Sequence, residues 1–429
     1  QSNNKPNQET VSYSLRKALE YKQWQFAARL CAMTTENRPD APTIAHALSE
    51  MAFYGKTDLV KTLCSMETDN KPDQKAVSFA LERAAQGKEW AVVEYLCSLQ
   101  TDNMPDQKSV SKALTAAIDE RNWKLAVQLC AMTGDNQPDT QSVSHALIQM
   151  AFYNQRDSVA TLCAMKTDNK PTQDSVNKAL KKAAESKEWG IVKYLCTLES
   201  NNKPNQEAVS YSLKKAIDES NWELAALLCA IKTDNKPNQK TINYTLREAV
   251  FFKKEKLLGT LCSMDTENKP EQTAVNDALK KIIDEHNWDL AKFLYTMDTA
   301  NKPDAPTIAY ALSEMAFYGK TELVKTLCSM ETDNKPDQKA VSFALERAAH
   351  GKEWAVVEYL CSLQTDNMPD QKSVSKALTA AIDERNWILA VQLCAMTSDN
   401  KPDAQSVEYA LIQMAFYNQK DSVATLCAM

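Results

Sequence analysis

The side chains best suited to chemistry recur through this sequence too regularly to suggest a catalytic centre. There are twelve cysteines and four histidines, His46, His145, His286 and His350. The cysteines return at one fixed interval, from Cys31 and Cys64 to Cys427, and Tyr295 interrupts the series once. None forms a Cys-x-x-Cys pair, the usual half of a zinc site. Helices stack 8–10 Å apart, whereas a disulfide needs Cα atoms within about 7 Å, so the expectation is reduced thiols packed as small apolar groups. Each histidine stands where Tyr, Lys, Ser or Gln stands one or more periods away, as solvent-facing positions do. A Cys–His nucleophile pair would need an inward and an outward residue to meet. No glycine-rich phosphate loop, metal motif or pair of catalytic carboxylates stands out. The expectation is a non-enzymatic chain with no cofactor and no metal, in a cytoplasmic, reducing compartment.

The elements behind this regularity are best seen over 73–99. Val77, Ala80, Leu81, Ala84 and Ala85 fall on one face at helical spacing, and Trp90, Val93, Leu96 and Cys97 form a second such face after a short break. Thirteen copies of equal length, each spanning thirty-three positions, account for all 429 residues, and a period of this size signals a solenoid. One copy has about seven large apolar side chains worth roughly 1.5–3 kcal/mol each when buried. Ordering its backbone costs about 1–2 kcal/mol per residue, so a copy must stack on its neighbours to fold. The fold class predicted is all-α: a solenoid of thirteen stacked helix-turn-helix repeats, forming a single domain over 1–429. Each loop carries an Asn (Asn4, Asn37, Asn70, on to Asn400), expected in the left-handed conformation that ends helices. A Pro follows it, then an N-cap that is Asp or Asn in most copies, Thr172 in one and Glu271, the weakest, in another.

The copies are of three types. One carries Ile-Asp-Glu-x-Asn-Trp, as at 118–123, and a second Met-Ala-Phe-Tyr, as at 51–54. A third carries Ala-Ala-x-x-Lys-Glu-Trp, as at 84–90. They alternate with a three-repeat superperiod that breaks once, after the eighth copy, and 304–429 repeats 40–165 almost verbatim, an internal duplication.

Leu81, Ala84-Ala85, Gly87, Val92-Val93 and Leu96-Cys97 resemble the Leu…Ala-Ala…Gly…Val-Val…Leu-Leu pattern of the ankyrin-repeat family, at that family's period. The family's Thr-Pro-Leu-His motif is replaced by residues such as Ser78-Phe79-Ala80-Leu81, and its glycine-rich finger by Asp-Asn-Lys-Pro. The resemblance implies ankyrin-like helix pairs and a protein-protein interaction scaffold, a role such arrays also fill in secreted effectors of intracellular bacteria. Pro72-Asp73-Gln74 is also similar to the start of a DNA-reading effector repeat, without the paired glycines of its base-reading loop.

The net charge of −6 with interleaved signs argues against a generic nucleic-acid or membrane surface. There is no run of eighteen apolar residues and no basic-then-apolar leader. Function is expected on the variable face of the first helix, at Phe79, Glu82, Arg83, Gln86, Gly87 and their equivalents. The candidate partner-binding residues are a basic ladder, Lys178, Lys181, Lys182, Lys214, Lys215, Arg247, Lys280 and Lys281 with Tyr211 and Tyr244, and the aromatic doublets Phe53/Tyr54 and Phe152/Tyr153. The doublets alternatively fill the space of the Trp that their own copies lack. An acidic protein or peptide is the expected partner, and a nucleic acid the least expected. A structural role is the alternative, in which end copies without polar caps (Leu411, Met414, Leu426, Met429) self-associate head to tail. The first residue is not Met, as expected of a processed or recombinant segment.

Overall fold

The computed structural model describes residues 5–199, 202–296 and 301–428; Asn4 and Met429 lie outside them. Among these residues the chain is all-α, with twenty-six helices and no strand. It is a helix-turn-helix solenoid, numbered α1 to α26, whose copies each supply a first helix of thirteen residues and a second of eight, nine in the last copy. Contacts divide it into two compact units, Gln1–Lys215 and Ala216–Met429.

The third copy shows why the sequence folds this way. Asp73 has extended backbone, and its carboxylate accepts the Ala76 N–H at 2.8 Å, opening α5 (Gln74–Gln86). Val77, Ala80, Leu81 and Ala84 are fully buried, and α6 (Trp90–Cys97) buries Val92, Val93, Leu96 and Cys97. The side-chain cap recurs at the start of the other first helices. The exception is α17 (Gln272–Asp284), where Glu271 makes no cap bond; its extra methylene carries the carboxylate past the N–H groups. Cysteines inside the array are free, and burial alone pushes thiols such as Cys97 and Cys229 up to about 12.

The left-handed residue is not the loop asparagine. It lies in the turn between the two helices of a copy, where φ is positive at Lys22, Gly55, Lys88, Arg121, Asn154, Lys187, Ser220, Lys253, His286, Gly319, Lys352, Arg385 and Asn418. After α5 the Lys88 and Glu89 N–H groups donate to Ala85 O and Ala84 O at 3.1 and 2.9 Å, the pattern that closes helices through a left-handed residue. Eleven of these residues are not glycine, so each such turn stores about 1–2 kcal/mol of strain that helix burial must outweigh.

The asparagines instead join consecutive copies. Asn70 is buried and its amide donates to Pro39 O at 3.1 Å, and Asn103 does the same to Pro72 O at 3.0 Å. The bond repeats at Asn37, Asn169, Asn202, Asn268, Asn301, Asn334, Asn367 and Asn400. The amide nitrogens of Asn136 and Asn235 have no partner. Beside this ladder runs a second, of ion pairs: Arg38–Asp69 at 3.0 Å, Lys71–Asp102 at 3.0 Å and Lys335–Asp366 at 2.6 Å. Where an ankyrin array would extend a strand-built finger, these loops are closed by copy-to-copy bonds, and no described residue forms a strand.

The superperiod has a steric basis. The Trp of a first-type copy meets the second ring of the next copy's doublet: Trp24–Tyr54 at 5.3 Å, Trp123–Tyr153 at 5.6 Å and Trp222–Phe252 at 5.2 Å between centroids. A doublet thus answers the Trp of the copy before it rather than replacing one of its own. The next, third-type copy places Gly87 so close to α3 (Ala41–Phe53) that a Cβ there would lie 2.4 Å from Phe53 O. It also sets Arg83 4.1 Å over the Phe53 ring and 3.1 Å from Glu50. Copies therefore follow one another in the order in which their faces fit. Where the third-type copy is missing, Lys281 sits 4.9 Å over Phe251 in place of an arginine. In the same copy Tyr295 fills the cysteine position, fully buried, its hydroxyl unpartnered and burial pushing it up to about 12.

Candidate functional site

The sequence-predicted residues fall on exposed or half-buried faces of first helices, but they are not a free cationic stripe. In the first unit, α11 (Gln173–Glu185) and α13 (Gln206–Asp218) carry Lys178, Lys181, Lys182, Tyr211, Lys214 and Lys215. Lys178 pairs with Asp174 at 2.7 Å, Lys181 with Glu207 at 2.8 Å and Lys182 with Glu185 at 2.8 Å. The Tyr211 hydroxyl donates to Glu185 at 3.2 Å, and Lys215 lies 6.0 Å from the Tyr211 ring centre. The Lys182 bond, with help from Tyr211 and Lys215, outweighs partial burial and holds the Glu185 carboxyl below the usual range. In the second unit, α15 (Gln239–Phe251) carries Tyr244 and exposed Arg247, and α17 carries exposed Lys280 and Lys281. The doublets serve contacts between copies. Phe53 and Phe152 stand edge-on to Tyr54 and Tyr153 at 5.1 and 4.9 Å, and Lys22 and Arg121 cover the tyrosines at 4.5 and 4.4 Å.

One position forms a series of its own. The sixth residue of each first helix is Tyr13, His46, Phe79, Lys112, His145, Lys178 and Tyr211 in the first unit. In the second it is Tyr244, Asp277, Tyr310, Phe343, Lys376 and Tyr409. Every one is half-buried or exposed, and Tyr13, Phe79 and Phe343 keep more than half of their surface open (59, 54 and 56%). All but Asp277 are planar or cationic. Five residue types occupy this position, yet its chemical class is nearly constant, and that signal was present in the sequence. The tyrosines are held in place: Tyr244 and Tyr409 donate to Asp218 and Asp383 at 3.2 and 3.1 Å, and Tyr310 donates to Asp284. Burial, then the charges of Glu248 and Asp218, push the Tyr244 phenol up to about 12, so it stays a neutral donor.

No family model matches the chain, and no curated protein matches it. Solved structures do. The pentatricopeptide repeat protein PPR10 from maize is 12% identical, with 99% of this chain and 73% of that chain covered and a TM-score of 0.28. The same protein in complex with an 18-nt psaJ RNA element is 14% identical, with 97% and 70% covered and a TM-score of 0.26. The likeness extends to the helical-hairpin fold alone.

Two expectations are corrected here. The solved structures matched are pentatricopeptide rather than ankyrin arrays, and the Leu…Ala-Ala…Val-Val pattern turns out to be what close-packed short helix pairs require. The scaffold for an acidic protein or peptide, with nucleic acid least expected, also falls. Lys178, Lys181 and Lys182, counted as free cations for that reading, are already neutralised within the protein.

Proposed function

We propose that this protein binds single-stranded nucleic acid along its first helices, one nucleotide to a copy, without catalysing a reaction on it. The observation that carries this is the sixth-position series, a half-buried or exposed aromatic ring, imidazole or lysine in every copy but the ninth, where Asp277 stands. Unpaired bases offer flat faces that stack on such side chains, each stack worth about 1–3 kcal/mol, and helical repeats that take one base each are an established mode of recognition. A duplex hides those faces, so the series favours single strands. Net charge enters differently than composition suggested. With the ladder lysines Lys178, Lys181 and Lys182 already paired within the protein, stacking contributes more of the affinity than counterion release, and the salt dependence is shallow for a nucleic-acid binder.

The test is fluorescence anisotropy with labelled uridine-rich RNA, DNA of the same sequence, and the corresponding duplex. The single strands are expected to bind more tightly than the duplex. Replacing Tyr13, Phe79, Tyr244 and Phe343 with Ala should weaken binding by roughly a thousandfold or more without changing the helical circular dichroism. Equal affinity for duplex and single strand, or no binding to either, would overturn the proposal.

A further inference from the structure

Resting on that reading, one stretch of the surface is built differently from the rest. A groove of about 860 Å³ opens across the second to fourth copies, with Phe79 in its wall, the next sixth-position residue Lys112 beside it, and Lys75 and Lys108 along it. Four carboxylates also line it, and each is already engaged. Asp69 pairs with Arg38 at 3.0 Å, and Glu82 with Lys112 at 2.6 Å. Asp73 and Asp106 accept the cap N–H groups of Ala76 and Ser109, both at 2.8 Å. Lys75 and Lys108, by contrast, have no carboxylate within ion-pair distance among the described residues. With Lys71, which pairs with Asp102 at 3.0 Å, four lysines face four carboxylates and the lining is formally neutral; Lys75 and Lys108 are its ammonium groups held by no ion pair, and they stand next to an exposed ring.

The duplication repeats the arrangement. In the second unit Phe343, Lys339, Lys372 and Lys376 occupy the same register, and the carboxylates are engaged in the same way. Asp333 pairs with Lys302 at 3.1 Å and Glu346 with Lys376 at 2.6 Å, while Asp337 and Asp370 cap Ala340 and Ser373 at 2.8 and 2.7 Å. Elsewhere the second helical position carries Glu, Pro, Gln, Asp or Thr, apart from Lys240.

We infer that these are two phosphodiester seats, anchors at which a base stacks on Phe79 or Phe343 while the adjoining phosphates lie between Lys75 and Lys108, or Lys339 and Lys372. The remaining copies hold bases without dedicated phosphate contacts.

The experiment compares wild type, a four-lysine groove variant (Lys75→Gln, Lys108→Gln, Lys339→Gln, Lys372→Gln) and an off-groove variant (Lys124→Gln, Lys166→Gln). Anisotropy is measured with labelled uridine-rich RNA over a salt series. Each phosphate contact to a single strand adds about 0.7 to the slope of log affinity against log salt. The groove variant should therefore lose roughly 2–3 from the slope, and the off-groove variant should keep it. Phe79→Ala with Phe343→Ala should weaken binding by roughly 25-fold or more with the slope unchanged, and Phe→Tyr at both should restore it. If wild type binds and the groove variant keeps its slope, the seats are wrong and the one-base-per-copy reading stands. If wild type binds no single strand, both fall.

Discussion

Replacing Asn103 with Ala removes two bonds at once from a site that is only 3% exposed. Its amide donates to Pro72 O at 3.0 Å, and its carbonyl accepts the Thr101 hydroxyl at 2.6 Å. The Pro72 carbonyl is then left without that donor inside the joint between two copies, and an orphaned buried group costs about 1–3 kcal/mol. The chain contains its own control. Asn136 is equally buried at the same register, but its amide nitrogen has no partner, so Asn136→Ala should cost about 1 kcal/mol less. Asn103→Asp should be worse than Ala at neutral pH, since it sets a carboxylate against a carbonyl oxygen, and should recover as the pH falls and the introduced acid takes up a proton. Repeat arrays need not unfold in one step, so the assay is hydrogen exchange resolved by copy, with urea unfolding for the total. Protection should fall most in the third and fourth copies, because coupling is between neighbours. Equal losses for Asn103→Ala and Asn136→Ala, or uniform loss along the chain, would refute the idea that these asparagines tie copies together.

Three further outcomes follow from the same geometry. Glu271→Asp supplies the cap that α17 lacks and should stabilise the ninth copy by about 0.5–1 kcal/mol, read as slower exchange of the first amides of that helix. Tyr295→Phe removes a buried hydroxyl with no partner and should raise stability by about 1 kcal/mol, measured as an upward shift in urea midpoint. The cap carboxylates set the acid limb. At Asp403 the Ser406 N–H and the Ser375 and Ser406 hydroxyls hold the carboxyl below its ordinary value, and at Asp370 bonds from Ser373 and Ser342 do so against partial burial. A lowered folded pKa means this stabilisation is complete above the usual carboxylate range near 4 and is lost as the pH falls through it. A urea midpoint that stayed flat between pH 5 and 3 would contradict it.

Much of this fold was legible in the residues. A fixed period with apolar faces at Val77, Ala80, Leu81, Ala84 and Val93, Leu96, Cys97 leaves few alternatives to stacked hairpins, and all of these side chains are buried. What sequence concealed was the relation between copies. A loop Asn looks like a helix end until the carbonyl of a Pro in the preceding copy is found beside it. The true left-handed position escaped because Lys, Arg, Ser and His occupy it in most copies, and only Gly55, Asn154, Gly319 and Asn418 carry a conformational sign. The basic ladder misled for the same reason: the partner of Lys181 is Glu207, on the first helix of the next copy, and only the stacking register brings them together. The ankyrin-like pattern misled because small and branched apolar residues at those spacings are what any tightly stacked short hairpin needs.

The most direct test of the central claim is ultraviolet crosslinking of the protein to uridine-rich RNA, with the attached residues read by mass spectrometry. Stacked rings crosslink at zero distance. The account predicts adducts at Tyr13, Phe79, Tyr211, Tyr244, Phe343 and Tyr409, the sixth residues of their helices. It predicts none at Tyr95, Tyr194 or Tyr359 on the second helices, although these rings are also partly accessible. Adducts concentrated on the second helices, or scattered without regard to the repeat register, would contradict it.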